Sequence, residues 1–328
     1  MRTIKRLFNL ALLLAVTLLG VLAYISFTPN PLPRTPIEFT LKPGTSLKGA
    51  ASQMKQAGVL ESDFAFVFLG RVLNKATQIK YGNYQLERSV SNLELLDIIS
   101  SGRTEQSQVT IVEGLTFKEL RTLLNSHAGL RHDSTAMSES EILQNIGAAE
   151  TFAEGLFFPD TYNFSSGSSD LLVLRRAYQT MHKHLLSNWE KRDADLPLET
   201  PYQALILASI VEKETGQAMD RPMIASVFTN RLRIKMRLQT DPTVIYGMGE
   251  NFDGNLRRRD LTTDTPYNTY TRNGLTPTPI ALPGLASIQA ALHPAQSNAL
   301  YFVAKGNGSS HFSSSLSEHN NAVNRYQK

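Results

Sequence analysis

Leu205-Ile-Leu-Ala-Ser-Ile-Val-Glu-Lys-Glu-Thr215, followed by Gly216, is an apolar run that ends on two carboxylates. Upstream, Thr200 is placed to cap a helix, Pro201 suits its first turn and Gln203 holds the capping-box position. Gly216 stands where helices commonly stop. A helix this apolar belongs in a core, and carboxylates at such a place are paired or used. Glu212 and Glu214 are two residues apart, about 200° around a helix, so they do not share one site. Glu212 is in phase with Leu205, Ala208 and Ser209, and Glu214 with Leu207, Ile210 and Val211. Both faces are apolar, so periodicity does not choose between the two acids.

Position along the helix discriminates better. Glu214 falls in the last turn, where unpaired carbonyls raise the cost of a carboxylate charge. Partial burial acts in the same direction. A carboxyl that keeps its proton near neutral pH is suited to general-acid catalysis. The competing reading pairs both glutamates with Arg221, Arg231 or Arg233 of the following helix, and the residues alone leave both readings open.

Downstream, Asp220 is placed to cap a helix over 222–232, and Thr240-Asp241-Pro242 opens a short one ending near Gly247. Asp241 reads either as a helix-opening residue or as a second acid. Residues 266–283 form a loop rich in Pro, Thr and Tyr. Its Tyr267, Asn268 and Tyr270 suit sugar stacking and hydrogen bonding, or plain turn packing. A buried helix is expected over 287–292 and a core strand over 299–304. Upstream, strands are expected at 37–41, 81–86 and 108–112. Helices are expected at 47–57, 62–73, 93–99, 117–124 and 171–189. Residues 155–162 form an aromatic turn containing Asp160. The Ser-rich segment 127–149 suggests no definite shape. The fold class is α+β: a small module at 37–106 and a larger domain at 107–328.

Arg2, Lys5 and Arg6 precede an uncharged run from Leu7 to Phe27. At 1.5 Å per residue that run crosses a hydrocarbon core of ~30 Å. It is longer than the apolar part of a signal peptide. We therefore expect an uncleaved transmembrane anchor at 7–27, with residues 1–6 cytoplasmic by the positive-inside rule. A stiff proline-rich spacer at 28–36 then leads away from the bilayer.

The 328 residues carry a net charge of +4 without a basic block, which gives no nucleic-acid footprint. The absence of cysteine excludes disulfides and thiol catalysis. His182 and His184 are two apart on a helix and cannot share a ligand face. No His-Glu-x-x-His or Gly-x-Ser-x-Gly occurs, and the Ser-x-x-Lys at 52–55 lacks its companion motifs. No metal site or cofactor is expected.

Several longer motifs resemble the endolytic murein transglycosylase family, the YceG-like proteins. They are Ala208-Ser-Ile-Val-Glu-Lys-Glu-Thr215, Arg237-Leu-Gln-Thr-Asp-Pro-Thr-Val-Ile-Tyr-Gly247, Tyr267-Asn-Thr-Tyr270, His293-Pro294 with Tyr301-Phe-Val-Ala304, Phe158-Pro-Asp-Thr-Tyr162 and Val112-Glu-Gly114. The likeness runs from about residue 37 to the C-terminus. It implies a LysM-like module at 37–106 and a single-pass inner-membrane protein with a periplasmic catalytic domain. It implies internal cleavage of the MurNAc-GlcNAc β-1,4 bond of nascent peptidoglycan strands, leaving 1,6-anhydro-MurNAc ends and terminating chain elongation. Peptidoglycan synthases (penicillin-binding proteins) are implied partners. Glu214 matches the family's catalytic residue, with Glu212 left as a support. One departure is Gly274-Leu-Thr-Pro-Thr-Pro-Ile280, where the family often has Pro and Gly at the positions of Thr276 and Thr278.

A lytic transglycosylase needs only one acid, because the sugar's own C6 hydroxyl replaces water and its tethering supplies effective molarity. Two rivals remain. A hydrolase with a water nucleophile needs a second acid facing Glu214, for which Asp160 and Asp241 are the candidates. An anchored cell-wall binding protein needs no such acid.

Overall fold

The computed structural model describes residues 2–33, 37–86, 88–101, 106–214 and 217–327. The expected helix stop at Gly216 and the end of the proline-rich spacer lie outside the described residues. In chain order the elements are α1 (Arg2–Phe27), β1 (Ile37–Leu41), α2 (Leu47–Gln56), α3 (Asp63–Val72), β2 (Gly82–Leu86), α4 (Asn92–Ser101), β3 (Gln106–Thr110) and α5 (Phe117–Ser126). Next come β4 (Leu130–Arg131), α6 (Glu139–Ile146), β5 (Thr161–Ser165), β6 (Ser168–Ser169), α7 (Asp170–Trp189) and α8 (Pro201–Glu214). The chain ends with α9 (Arg221–Arg233), α10 (Asp241–Met248), α11 (Arg258–Thr262), α12 (Leu285–Leu292), β7 (Tyr301–Ala304), β8 (Ser310–Ser313) and α13 (Leu316–Tyr326). The mixed α+β class is as expected.

The chain divides into two compact units. The first comprises residues 1–108, 128–131 and 163–168. In it β1 and β2 pair antiparallel, with Ile37 opposite Leu86 and Phe39 opposite Tyr84. Alternation turns Ile37, Phe39 and Leu41 inward onto Ala50, Met54, Phe66 and Leu69. Ser46 and Ser62 cap α2 and α3 through their hydroxyls. The expected span 7–27 lies on α1, where many side chains are outside the described residues. Among the described residues no helix is long and apolar enough to cross a membrane.

The second unit comprises residues 109–127, 132–162 and 169–328. Its centre is α8, buried from Ala204 through Val211 and packed by α7, α9, α10 and α12. Each large apolar side chain removed from water there contributes on the order of 1.5–3 kcal/mol. Gln203 N donates to Thr200 Oγ1 at 3.2 Å, as the cap reading expects. The Gln203 side chain instead reaches Glu199 N at 2.6 Å, one residue beyond the expected capping-box partner. Ser209, inside α8, accepts from Ile280 N at 3.0 Å and so fastens the 266–283 loop to the central helix.

Other expectations shift. Asp220 sits at the N-cap of α9 but makes no side-chain cap bond. Its Oδ2 accepts from Ser310 N at 2.7 Å, which anchors the start of β8. The strand expected at 108–112 is β3, ending at Thr110, and Ile111 N bonds Asp160 O at 2.9 Å. The shapeless segment 127–149 contains α6, opened by a Ser138–Glu141 capping box. The β7–β8 hairpin and α13 complete the unit.

Candidate active site

Glu214 is the last residue of α8. Its Oε1 accepts a hydrogen bond from the Thr240 hydroxyl. Thr240 is positioned from the opposite side by residue 269. Its amide donates to Thr269 Oγ1 at 3.1 Å, and Gln239 N donates to Thr269 O at 3.2 Å. Gln239 has φ +50, a left-handed backbone that costs a residue with a side chain about 1 kcal/mol. The strain sits one residue before the hydroxyl that holds the acid.

Asp241 opens α10, and its Oδ1 accepts from Tyr270 OH at 2.5 Å. Glu214, Asp241 and Tyr270 line one cavity of 580 Å³ together with Arg231, Tyr301 and His319. That volume is in the range of small-molecule sites. Arg231 spends donors on the carbonyls of Leu300 at 2.7 Å and Leu238 at 2.6 Å, and lies over the Tyr301 ring. It acts on Glu214 as a nearby charge rather than as a bonded partner.

These surroundings set the acid. Burial pushes Glu214 up from 4.5 to about 7. The Thr240 hydrogen bond opposes that rise, the Asp241 charge adds to it, and the Arg231 charge opposes it. A substantial fraction of the carboxyl is therefore protonated at neutral pH, while its conjugate base is also accessible. That balance suits a group acting first as acid and then as base.

Glu212 is placed differently. Its Oε2 accepts from Gly284 N at 2.9 Å, and its Oε1 is 3.4 Å from Arg221 Nη2. Both side chains are nearly closed to water, 6% exposed for Glu212 and 11% for Arg221. Arg221 is also 4.0 Å from Glu113 Oε2. Burial and the Glu212 charge raise the Glu113 pKa, and Arg221 opposes the rise. A Cβ at Gly284 would displace the Glu113 carboxyl from its present position.

The remaining candidates divide. Asn268 is wholly buried. Its amide donates to the carbonyls of Asp260, Leu261 and Thr263, and its Oδ1 accepts from Tyr270 N at 2.8 Å. It shapes the loop that presents Tyr270. Tyr267 faces a second cavity, and its hydroxyl is 2.9 Å from Thr278 Oγ1. Thr276 and Thr278 are buried and bond carbonyls of their own loop. Asp160 is exposed, accepts from Thr161 N at 2.7 Å and does not line the Glu214 cavity.

Sequence reasoning missed Thr240 as the partner of Glu214, and it missed Tyr301 and His319 as cavity residues. His319 lies on α13, and its buried Nδ1 has no hydrogen-bond partner among the described residues. Burial and then the Arg231 charge lower its pKa, which favours the neutral ring. The Ser315-x-x-Glu318 capping box was the available signal for α13. Among the described residues no cluster of metal-ligating side chains occurs.

Comparison with known proteins gives a consistent result. A sequence profile of the YceG-like family matches residues 39–325. A Bacillus subtilis (strain 168) protein named endolytic murein transglycosylase is 32% identical over 320 residues, covering 89% of this chain and 85% of that protein. A protein of the same name from Streptococcus pneumoniae serotype 2 is 28% identical over 80% of this chain, which spans only 53% of that longer relative. The 2.6 Å crystal structure of a putative YceG-like protein from Listeria monocytogenes superposes with a TM-score of 0.54 at 28% identity. The match covers 88% of this chain and 99% of that one. With its profile match running almost the whole length of both units, this chain belongs to the YceG-like family.

Proposed function

We propose that the protein is an endolytic murein transglycosylase that uses Glu214 as its single acid and base. The observation that carries this reading is the state of Glu214: lining a cavity, held by the Thr240 hydroxyl and with no bonded cation among the described residues, and raised to about 7. In the proposed reaction Glu214 protonates the glycosidic oxygen as it leaves C1 of a MurNAc residue. The C1–O bond breaks and the GlcNAc side departs with the proton. The carboxylate then takes the proton of the MurNAc C6 hydroxyl as O6 bonds to C1. The products are a 1,6-anhydro-MurNAc end and a free 4-hydroxyl, with no water consumed and the acid regenerated.

A hydrolytic variant has one observation in its favour, because Asp241 lines the same cavity. Tyr270, however, donates to Asp241 at 2.5 Å. A carboxylate already accepting the Tyr270 hydrogen bond is a weakened base for activating water, so we assign Asp241 an electrostatic role.

The wider reading also belongs to this proposal. The uncharged run 7–27 anchors the chain in the inner membrane with the catalytic unit periplasmic. The strand-helix-helix-strand order of β1, α2, α3 and β2 serves as a LysM-like glycan-holding module. Cleavage of nascent strands ends their elongation, which places peptidoglycan synthases nearby as partners.

The test is to incubate the full chain with purified peptide-free glycan strands and weigh the new ends. Anhydro ends support the reading. Ends heavier by one water overturn the mechanism, and intact strands overturn the activity.

A further inference from the structure

The second unit contains another cavity, of 290 Å³, whose residues the mechanism above does not use. Its walls include Phe117, Phe152, Tyr246, Tyr267 and Thr278, the carboxyls of Glu139 and Glu154, and the cations Lys118 and Arg121. Glu154 is 7% exposed. Its Oε1 accepts from Phe117 N, the first amide of α5, at 3.0 Å, and its Oε2 accepts from Tyr246 OH at 3.1 Å. The cavity's cations are engaged elsewhere, Lys118 with Glu250 and Arg121 with the carbonyls of Ser134, Thr135 and Met137. A buried carboxyl without a cation is costly unless it serves something. Three donors, with Gly155 N the third, still leave lone-pair capacity for one further hydroxyl or amide donor.

The position of Glu154 is built rather than incidental. Gly155 follows it with φ +80, and a Cβ there would collide with Pro279. The chain thus folds tightly against the 266–283 loop at this point. Tyr246 and Tyr267 pack edge to face at 4.8 Å, and the Tyr267 hydroxyl meets Thr278 at 2.9 Å. Phe152 is 53% exposed, an aromatic ring left open to water at the cavity. Aromatic faces combined with carboxyls, hydroxyls and the flanking Lys118 and Arg121 match a pyranose, whose C–H faces are apolar and whose rim carries both hydrogen-bond donors and acceptors.

The two cavities share their supports. Asp241 opens α10 and lines the Glu214 cavity, while Tyr246, five residues on, lines this one. At 1.5 Å per residue the separation along α10 is roughly 7–8 Å. The same turn sends Tyr270 to the first cavity and Tyr267 to the second. The volume is half that of the Glu214 cavity, which suits one ring rather than a run of them.

We propose that the Glu154–Tyr246 cavity is a second saccharide subsite, holding one N-acetylhexosamine ring of the strand engaged at Glu214. The proposal rests on the glycan-cleaving reading, and its consequence is a preference for strands long enough to occupy both cavities. The binding test does not depend on cleavage. An N-acetylglucosamine tetramer is titrated calorimetrically into the full chain and into Phe152→Ala and Glu154→Gln. The expected result is a Kd at least tenfold weaker in both variants. Phe152→Ala removes an exposed ring and does not threaten the fold, so the proposal stays testable if Glu154→Gln is unstable. A folded Phe152→Ala protein whose isotherm keeps the parent's number of sites, each as tight as in the parent, overturns it, because a site on the LysM-like module persists in both. The kinetic arm uses peptide-free strands of graded length. The ratio of KM for short over long strands is expected to fall about tenfold in Phe152→Ala, and an unchanged ratio overturns the proposal. If the parent protein leaves all strands intact, the cleavage reading fails while the titration still decides the subsite.

Discussion

Glu212 and Glu214 stand two residues apart at the end of α8 and hold different partners: Arg221 and Gly284 take the first, and Thr240 takes the second. The helix therefore delivers one acid to a cavity and ties the other into the protein. The spacing forces this separation, because neighbours at i and i+2 face different directions.

The Thr240 hydroxyl stabilises the charged form of Glu214. In Thr240→Val that support is gone, and the carboxyl holds its proton to higher pH. A hydrogen bond to a charged group is worth about 1.5 kcal/mol or more, so the alkaline limb of the cleavage profile should move up by about one pH unit. A pH–rate profile of purified Thr240→Val against the parent checks this, and a limb that stays in place argues against the contact.

Asp241 acts with the opposite sign. Its charge raises Glu214, so Asp241→Asn should draw the alkaline limb to lower pH. The same profile measured on Asp241→Asn distinguishes this from a nucleophile-activating role. Loss of activity at every pH, with no displacement of the limb, would favour the role of water activator.

Arg221 compensates a carboxylate that is almost closed to water. Arg221→Met should leave Glu212 buried and unpaired, and lower the unfolding free energy by about 3 kcal/mol. Urea denaturation followed by circular dichroism measures it. The folded fraction should still cleave strands, because Glu214 does not depend on that pair.

Glu154 and Glu214 are both raised from 4.5 to about 7, chiefly by burial. The folded state therefore binds more protons than the unfolded chain between those values. Stability from this source is complete below about pH 4.5 and is lost as the pH rises through 7. Glu154, only 7% exposed, accounts for ~2–3 kcal/mol of the change, and the more open Glu214 for less. The melting temperature should fall between pH 5 and 8, and Glu154→Gln should flatten that fall. Parallel curves for the variant and the parent would contradict this assignment.

Much of this was legible in the residues. The apolar run before Glu212 announced a buried central helix, and the alternation at 37–41 announced β1, because burial imposes a period on each element. The separation of the two glutamates also followed from helix geometry alone. What stayed hidden depended on contacts distant in sequence. Thr240 meets Glu214 only because the 266–283 loop positions it through Thr269, and no local pattern encodes that contact. For Asn268 loop composition left sugar binding and turn packing open, and its amide donates to three carbonyls of its own segment, the second of these. Asp220 read as a cap, yet β8 claims its carboxylate. Glu154 drew no notice because a single glutamate beside a glycine carries no motif. Its significance comes from the aromatic rings that the fold gathers around it.

The most direct test compares Glu214→Gln with Glu212→Gln on the same glycan strands, with melting temperatures measured alongside. Glu214→Gln should melt at or above the parent temperature at pH 8 and show no cleavage. Glu212→Gln should melt lower and still cleave. Strand cleavage by a pure, folded Glu214→Gln protein would contradict the account.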